Sequence, residues 1–221
     1  MTGRIGLIFN GVWSHYAVAT APKYAEIYEM LYVHDLPRFD LGRFDALVIP
    51  FQSNHSALKR NRDSFDAFLA AGKKIALFAD ASAICTDATW ADRPTNNYWW
   101  VEDPQRPPIS NTDHTHPVFN GLQARHACWH THGAYTRIPD DARVLQTNEE
   151  GETITWQTER DGGTLFASTL DPIVEHGVQQ IRHLDNFVDS LTAWLCGVRP
   201  TGKFTLPAEA YGITEQEMAS A

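Results

Sequence analysis

Residues 73–86 read KKIALFADASAICT, and this stretch constrains the fold more than any other. Residues 75–79 are five apolar residues in a row, which read as a strand buried on both faces, and Asp80-Ala81-Ser82 then turns the chain toward a short helical segment. In an α/β protein such a turn, at the carboxyl end of a central parallel strand, is where ligands bind and where a nucleophile is displayed. The neighbouring segments decide whether the chain is of that kind.

They alternate as an α/β protein requires. Residues 4–10 (RIGLIFN) form an apolar run closed by Gly11, and residues 21–32 (APKYAEIYEMLY) carry apolar and aromatic residues at three-to-four spacing, predicting a strand and an amphipathic helix. Residues 32–35 predict a short second strand, and residues 44–51 (FDALVIPF) a third, ended by Pro50. Residues 62–71 predict a helix stopped by Gly72, which leads into the strand at 75–79. Strands and helices in this order imply right-handed crossovers and a parallel sheet. Beyond Thr86 the pattern changes. Residues 90–108 hold Trp90, Tyr98, Trp99 and Trp100 among Asn, Asp and Pro and read as a long structured loop. Residues 125–133, 142–147, 153–158 and 163–170 read as shorter strands, and residues 183–197 as a final amphipathic helix.

Composition narrows the partners. At 221 residues, 43% of them hydrophobic, the chain suffices for one domain, expected over 1–200 with a loosely attached tail at 201–221. A formal charge of −9 without a basic stripe argues against nucleic acid. No apolar run approaches the roughly 18 residues that span a bilayer, and the start lacks a signal-peptide pattern, so a cytoplasmic protein without a membrane partner is expected. Three cysteines, Cys85, Cys128 and Cys196, without CxxC spacing, indicate neither a disulfide framework nor a zinc knuckle.

Five strings in order resemble the class I glutamine amidotransferase-like superfamily, and within it the ThuA-like (trehalose-utilisation) proteins. They are FDALVIP, GKKIALFADAS, HTHPVFNGL at 114–122, TITWQTERDGGTLFASTLDP at 153–172 and HLDNFVDSLTAWLCGV at 183–198. The resemblance spans residues 4–198 and implies a flavodoxin-like three-layer α/β sandwich, with a mostly parallel central sheet and a strand-rich C-terminal part. Glutaminase members carry Cys in a G-x-C-x-G turn, a Gly-rich oxyanion loop and a late His-Pro-Glu run. Here the corresponding strings are ADASA, PFQSN and LDPIVEH, so ammonia release from glutamine is disfavoured.

Three constellations remain. In the first, Ser82 or Asp80 acts at the turn, with His176 or Glu175 as base after the late strand; relatives resembling the peptidase E branch use Ser at such an elbow. The alternative is that Asp80 and Ser82 cap the following helix. In the second, an extended 125–133 segment projects His126, Cys128, His130 and His132 from one face, suiting zinc or another late transition metal, against a polar wall of hydrogen-bonded histidines without a cofactor. In the third, tryptophans and amides recognise a sugar-like ligand, against packing in a satellite core or a subunit interface. Carboxyl ends of the predicted strands place Asn10, His15, Gln52, Asn54, Asp80, Ser82 and Asp171 around one pocket, with His130, His132 and His176 as side walls and Trp99 and Trp100 nearby. Asp80, Ser82, Asp171 and His176 are the catalytic candidates and the others contact ligand. The expected function is a small-molecule, carbohydrate-like site with hydrolase activity in a homo-oligomer. The rivals are a catalytically silent oligomerisation or partner-binding domain and a metal-dependent hydrolase.

Overall fold

The computed structural model describes residues 4–81, 86–103, 105–128, 130–174 and 184–197. Ten strands form one sheet: β1 (Ile5–Phe9), β2 (Tyr28–Tyr32), β3 (Ala46–Ile49), β4 (Lys74–Phe78), β5 (Thr89–Ala91), β6 (Ile109–Asn111), β7 (Ala134–Arg137), β8 (Arg143–Asn148), β9 (Thr153–Arg160) and β10 (Gly163–Ser168). Helices are α1 (Trp13–Thr20), α2 (His55–Arg60), α3 (Arg62–Ala70), α4 (Trp99–Glu102) and α5 (Asp185–Leu195). The order β2-β1-β3-β4-β10 is parallel throughout; β9, β7 and β5 extend it antiparallel, with β8 on β9 and β6 on β8. The expected mostly parallel sheet is therefore parallel in its first half and antiparallel in its second.

Alternation along the parallel strands builds the three layers. Ile5 and Leu7, Ala46 and Val48, Ala76 and Phe78, and Phe166 face one side, under Val18 and Ala19 of α1 and Phe187, Val188, Leu191 and Leu195 of α5. Ile8, Leu47, Ile49, Ile75, Leu77, Leu165 and Ala167 face the other, under Ala57 and Leu58 of α2 and Phe65, Phe68 and Leu69 of α3. A third cluster, Trp99, Ile109, Cys128, Ala134, Ile154 and Leu170, lies in the antiparallel half. No helix among the described residues is long and apolar enough to cross a membrane.

Three local expectations are corrected. Residues 21–32 are not a helix. Pro22 cannot donate to a helical ladder, the Ala21 N–H closes α1 on the Ala17 and Val18 carbonyls, and residues 28–32 pair with β1, Ile5 opposite Tyr28. The strand expected at 32–35 is a 3-10 turn, Val33–Arg38, that contains Pro37. The strand expected at 125–133 is also absent. Gln123 and His126 cap each other's backbone around the 3-10 turn Ala124–His126, and the strand begins only at Ala134.

Candidate functional site

The strand order places a topological switch point between β1 and β3, the two strands whose following loops run in opposite directions over the sheet. Side chains from the β1 loop bond the β3 loop there. Asn10 Nδ2 donates to Gln52 O at 3.1 Å, and the buried His15 ring contacts Phe51 O through Nε2 at 2.9 Å. A carbonyl only accepts, so Nε2 carries the proton and Nδ1 carries the lone pair. Burial holds the His15 pKa down at about 4, against a smaller upward pull from the Phe51 carbonyl, so the ring is neutral at pH 7. Gln52 adopts φ +64, a left-handed conformation uncommon for a residue with a side chain.

The turn after β4 carries the second strained residue, Ala79, at φ +47. Its N–H continues the ladder to Ser168 O at 2.7 Å. The strained position of the elbow is thus occupied by a methyl side chain, and the residue after it, Asp80, is bonded to His55 Nε2 through Oδ2 at 2.6 Å. Ser82, the other candidate at this turn, lies outside the described residues, as does His176.

A second imidazole–carboxylate pair stands at the end of β10. An isolated antiparallel bridge joins Thr131 to Leu170, and the His132 N–H reaches Thr169 O at 3.3 Å. His132 Nε2 then lies 2.7 Å from Asp171 Oδ2. The Asp171 side chain is 2% exposed and the His132 side chain 28%, so a buried carboxylate orients a partly open ring. The Phe51 ring lies 4.5 Å from the His132 ring, which ties this pair to the β3 loop.

Buried polar atoms set the character of this edge. Among the described residues, Asn10 Oδ1, Ser14 Oγ, His15 Nδ1, Asp80 Oδ1 and Thr169 Oγ1 are buried without a hydrogen-bond partner. Asn10 and Thr169 follow β1 and β10 directly, Asp80 follows β4 after Ala79, and Ser14 and His15 sit in the first turn of α1. Leaving a buried polar atom unpaired costs about 1–3 kcal/mol, so each of these atoms calls for a partner such as an ordered water or a ligand group. Asn10, His15 and Asp80 present acceptors there, and the two hydroxyls accept or donate.

The remaining candidates have other structural roles or neighbours. Asn54 Oδ1 accepts from Ala57 N–H at 2.9 Å and caps α2. Trp99 is packed in the third hydrophobic cluster, while Trp100 is 38% exposed. His130 is half-buried and precedes the Thr131 bridge. The alternating metal face is not formed. His126 belongs to the 3-10 turn, and Cys128 is in the core, where burial and then the Asp171 carboxylate push its thiol well above the ordinary range. Among the described residues, no group of three or more His, Cys, Asp and Glu side chains is placed to hold a metal ion. His55, Phe51 and Ala79 are the residues that sequence reasoning missed. His55 had one available signal: it directly follows Asn54, a predicted pocket residue after the third strand.

No family model matches the sequence, and no match was found among curated proteins. Solved structures do match. A cytoplasmic protein from Salmonella typhimurium is 12% identical with a TM-score of 0.60, covering 90% of this chain and 100% of that one. A glutamine amidotransferase from Thermotoga maritima is 11% identical with a TM-score of 0.52 over 89% of this chain and 94% of that one. The fold is therefore that of the class I glutamine amidotransferase-like proteins. ThuA-like proteins share it: one from Bacteroides uniformis is 15% identical with a TM-score of 0.52, over 91% of this chain and 96% of that one.

Proposed function

We propose that the carboxyl edge of the parallel strands, at the β1/β3 switch point, binds a small hydroxyl-rich molecule of the carbohydrate kind, and that the His132–Asp171 pair serves there as an oriented base for hydrolysis. The observation that carries this reading is the set of buried acceptors, Asn10 Oδ1, His15 Nδ1 and Asp80 Oδ1, without partners among the described residues. Ligand hydroxyls supply donors to all three, and each bond formed relieves an existing desolvation cost. Asp171 Oδ2 lies 2.7 Å from His132 Nε2 and orients the ring by that nitrogen. In hydrolysis the imidazole takes a proton from water as its oxygen attacks, and returns it to the departing oxygen. The elbow residue Ala79 has no nucleophilic atom, which favours activated water over a covalent intermediate at that position.

The test is a titration with a panel of monosaccharides, disaccharides and their esters, followed by tryptophan fluorescence. Saturable quenching is expected with at least one, weakened about tenfold in Asp80→Asn, one hydrogen bond to a charged group being worth about 1.5–3 kcal/mol. Silence across the whole panel contradicts the reading.

A second reading is favoured by the outer face of α1, where Trp13 stacks on Tyr16 with ring centroids 5.3 Å apart and both rings are exposed. In that reading the chain self-associates through this face. Light scattering on a Trp13→Ala, Tyr16→Ala double variant decides it: a fall in mass is expected, and an unchanged mass contradicts it.

A further inference from the structure

The loop between β5 and α4 reaches the His132 segment through Asn97. Its Oδ1 accepts from Thr131 N–H at 3.2 Å, and its Nδ2 donates to Thr131 O at 3.4 Å. One carboxamide therefore pairs with both polar groups of the residue before His132, as a neighbouring strand would. On its other side the segment is held by the Leu170 bridge and the Thr169 carbonyl. Gly133 completes the confinement: at φ +129, a Cβ would lie 2.3 Å from Ala91 O and 2.8 Å from the Trp90 ring. Residues 131–133 are thus threaded between the end of β10 and the aromatic loop, and His132 is the side chain this threading aims.

The same loop holds aromatic surface outward. Trp99 anchors it in the third cluster, the Tyr98 N–H donates to Asn96 Oδ1 at 2.9 Å, and Asn96 Nδ2 donates to Glu102 Oε2 at 2.7 Å. Tyr98 is left 69% exposed on a turn fixed by its neighbours, and Trp100, two residues on in α4, is 38% exposed. Resting on the reading of a carbohydrate-like ligand, we propose that Asn97 is a positioning residue for His132, and that Tyr98 and Trp100 form the wall on which the apolar face of the ligand ring stacks. An aromatic face suits a sugar ring, whose C–H groups lie on one side and hydroxyls at the rim.

The test separates the two claims. Histidine-labelled NMR of ligand-free Asn97→Ala is expected to move the His132 ring resonances and to shift its titration midpoint by about 0.5 unit or more, with His15 and His116 as unmoved internal references. Asn97→Asp keeps the acceptor for Thr131 N–H and is expected to restore part of the wild-type signal; it also decides the matter if the alanine variant does not fold. His132 resonances and midpoint identical to wild type in Asn97→Ala, or in Asn97→Asp where the alanine variant does not fold, overturn the positioning role, whatever any sugar does. Tyr98→Ala, at an exposed site, is expected to weaken the responding sugar about tenfold while leaving the His132 midpoint in place. Undiminished binding overturns the wall. If no sugar binds the wild-type protein, the wall falls with the ligand reading while the NMR result on Asn97 stands by itself.

Discussion

The two halves of the sheet are held together by different forces. In the parallel half, Ala46, Leu47, Val48 and Ile49 are all fully buried, and Ile75, Ala76, Leu77 and Phe78 nearly so, with apolar neighbours above and below. The antiparallel half is crossed instead by a buried polar chain. Leu170 N–H donates to Ser168 Oγ, and Thr155 Oγ1 to Gln146 Oε1. Thr155 has then spent its one proton, so the 2.7 Å contact with Ser168 has Ser168 as donor. Gln146 Nε2 donates on to Asn111 Oδ1, and Asn111 Nδ2 to Leu122 O. Every donor points the same way, from the residue beside Asp171 to the far side of the sheet. Apolar burial is non-directional and tolerates repacking, whereas a satisfied buried network fixes one geometry. The candidate site lies where the two meet: the parallel half contributes buried acceptors, and the seam at β10 contributes an aimed imidazole.

Substitutions sharpen this contrast. The largest effect is expected for Phe166→Ala on β10, whose ring packs near Phe78, Phe119, His116 and Trp194. It should lose about 3–5 kcal/mol in denaturant unfolding, and a loss below about 1 would break the account of an apolar parallel half. Next comes acid. The folded pKa of His15, about 4, lies below its ordinary 6.5, so folding favours the neutral ring. Its full stabilisation is present above pH 6.5 and is lost as pH falls toward 4, by about 3 kcal/mol in all. His116 and His126 are lowered by burial too and act in the same direction, so the difference in pH slope between wild type and His15→Phe isolates His15. An identical slope would contradict its burial as a neutral ring. Gln146→Leu strands the Thr155 proton and the Asn111 oxygen, and should cost about 2–3 kcal/mol, with faster hydrogen exchange confined to β6, β8 and β9. Uniformly faster exchange would mean that the halves are not separable. The smallest effect is expected for Asn54→Ala, about 1 kcal/mol from the lost cap, with ligand affinity unchanged. Weakened binding there would return Asn54 to the site.

The parallel half was legible because its strands are continuous apolar runs, which no exposed helix carries. β2 was not, because Tyr28, Leu31 and Tyr32 satisfy a helical spacing as well as a strand, and pairing with β1 decides between them. His132 was read both as a side wall of the pocket and as one of four side chains sharing a face of a strand. Its actual partner, Asp171, is set by the Thr131–Leu170 bridge between residues 39 apart in sequence, which no local pattern records. Asn10, His15 and Asp80 were placed at the edge by position after strands, and that edge is where their buried atoms lie. Trp99 was read as a ligand contact and proves to be core, since an aromatic in a polar loop looks the same whether it points in or out. Ala79 was unreadable as the strained residue, because a left-handed φ leaves no mark on an alanine.

The most direct measurement of the central claim is a crystal soaked with the sugar that gives the strongest fluorescence response. The account predicts ring density bridging Asn10, His15 and Asp80, with one hydroxyl or a water within hydrogen-bond reach of His132. Density at another face, or an unoccupied edge at saturating ligand, would contradict it.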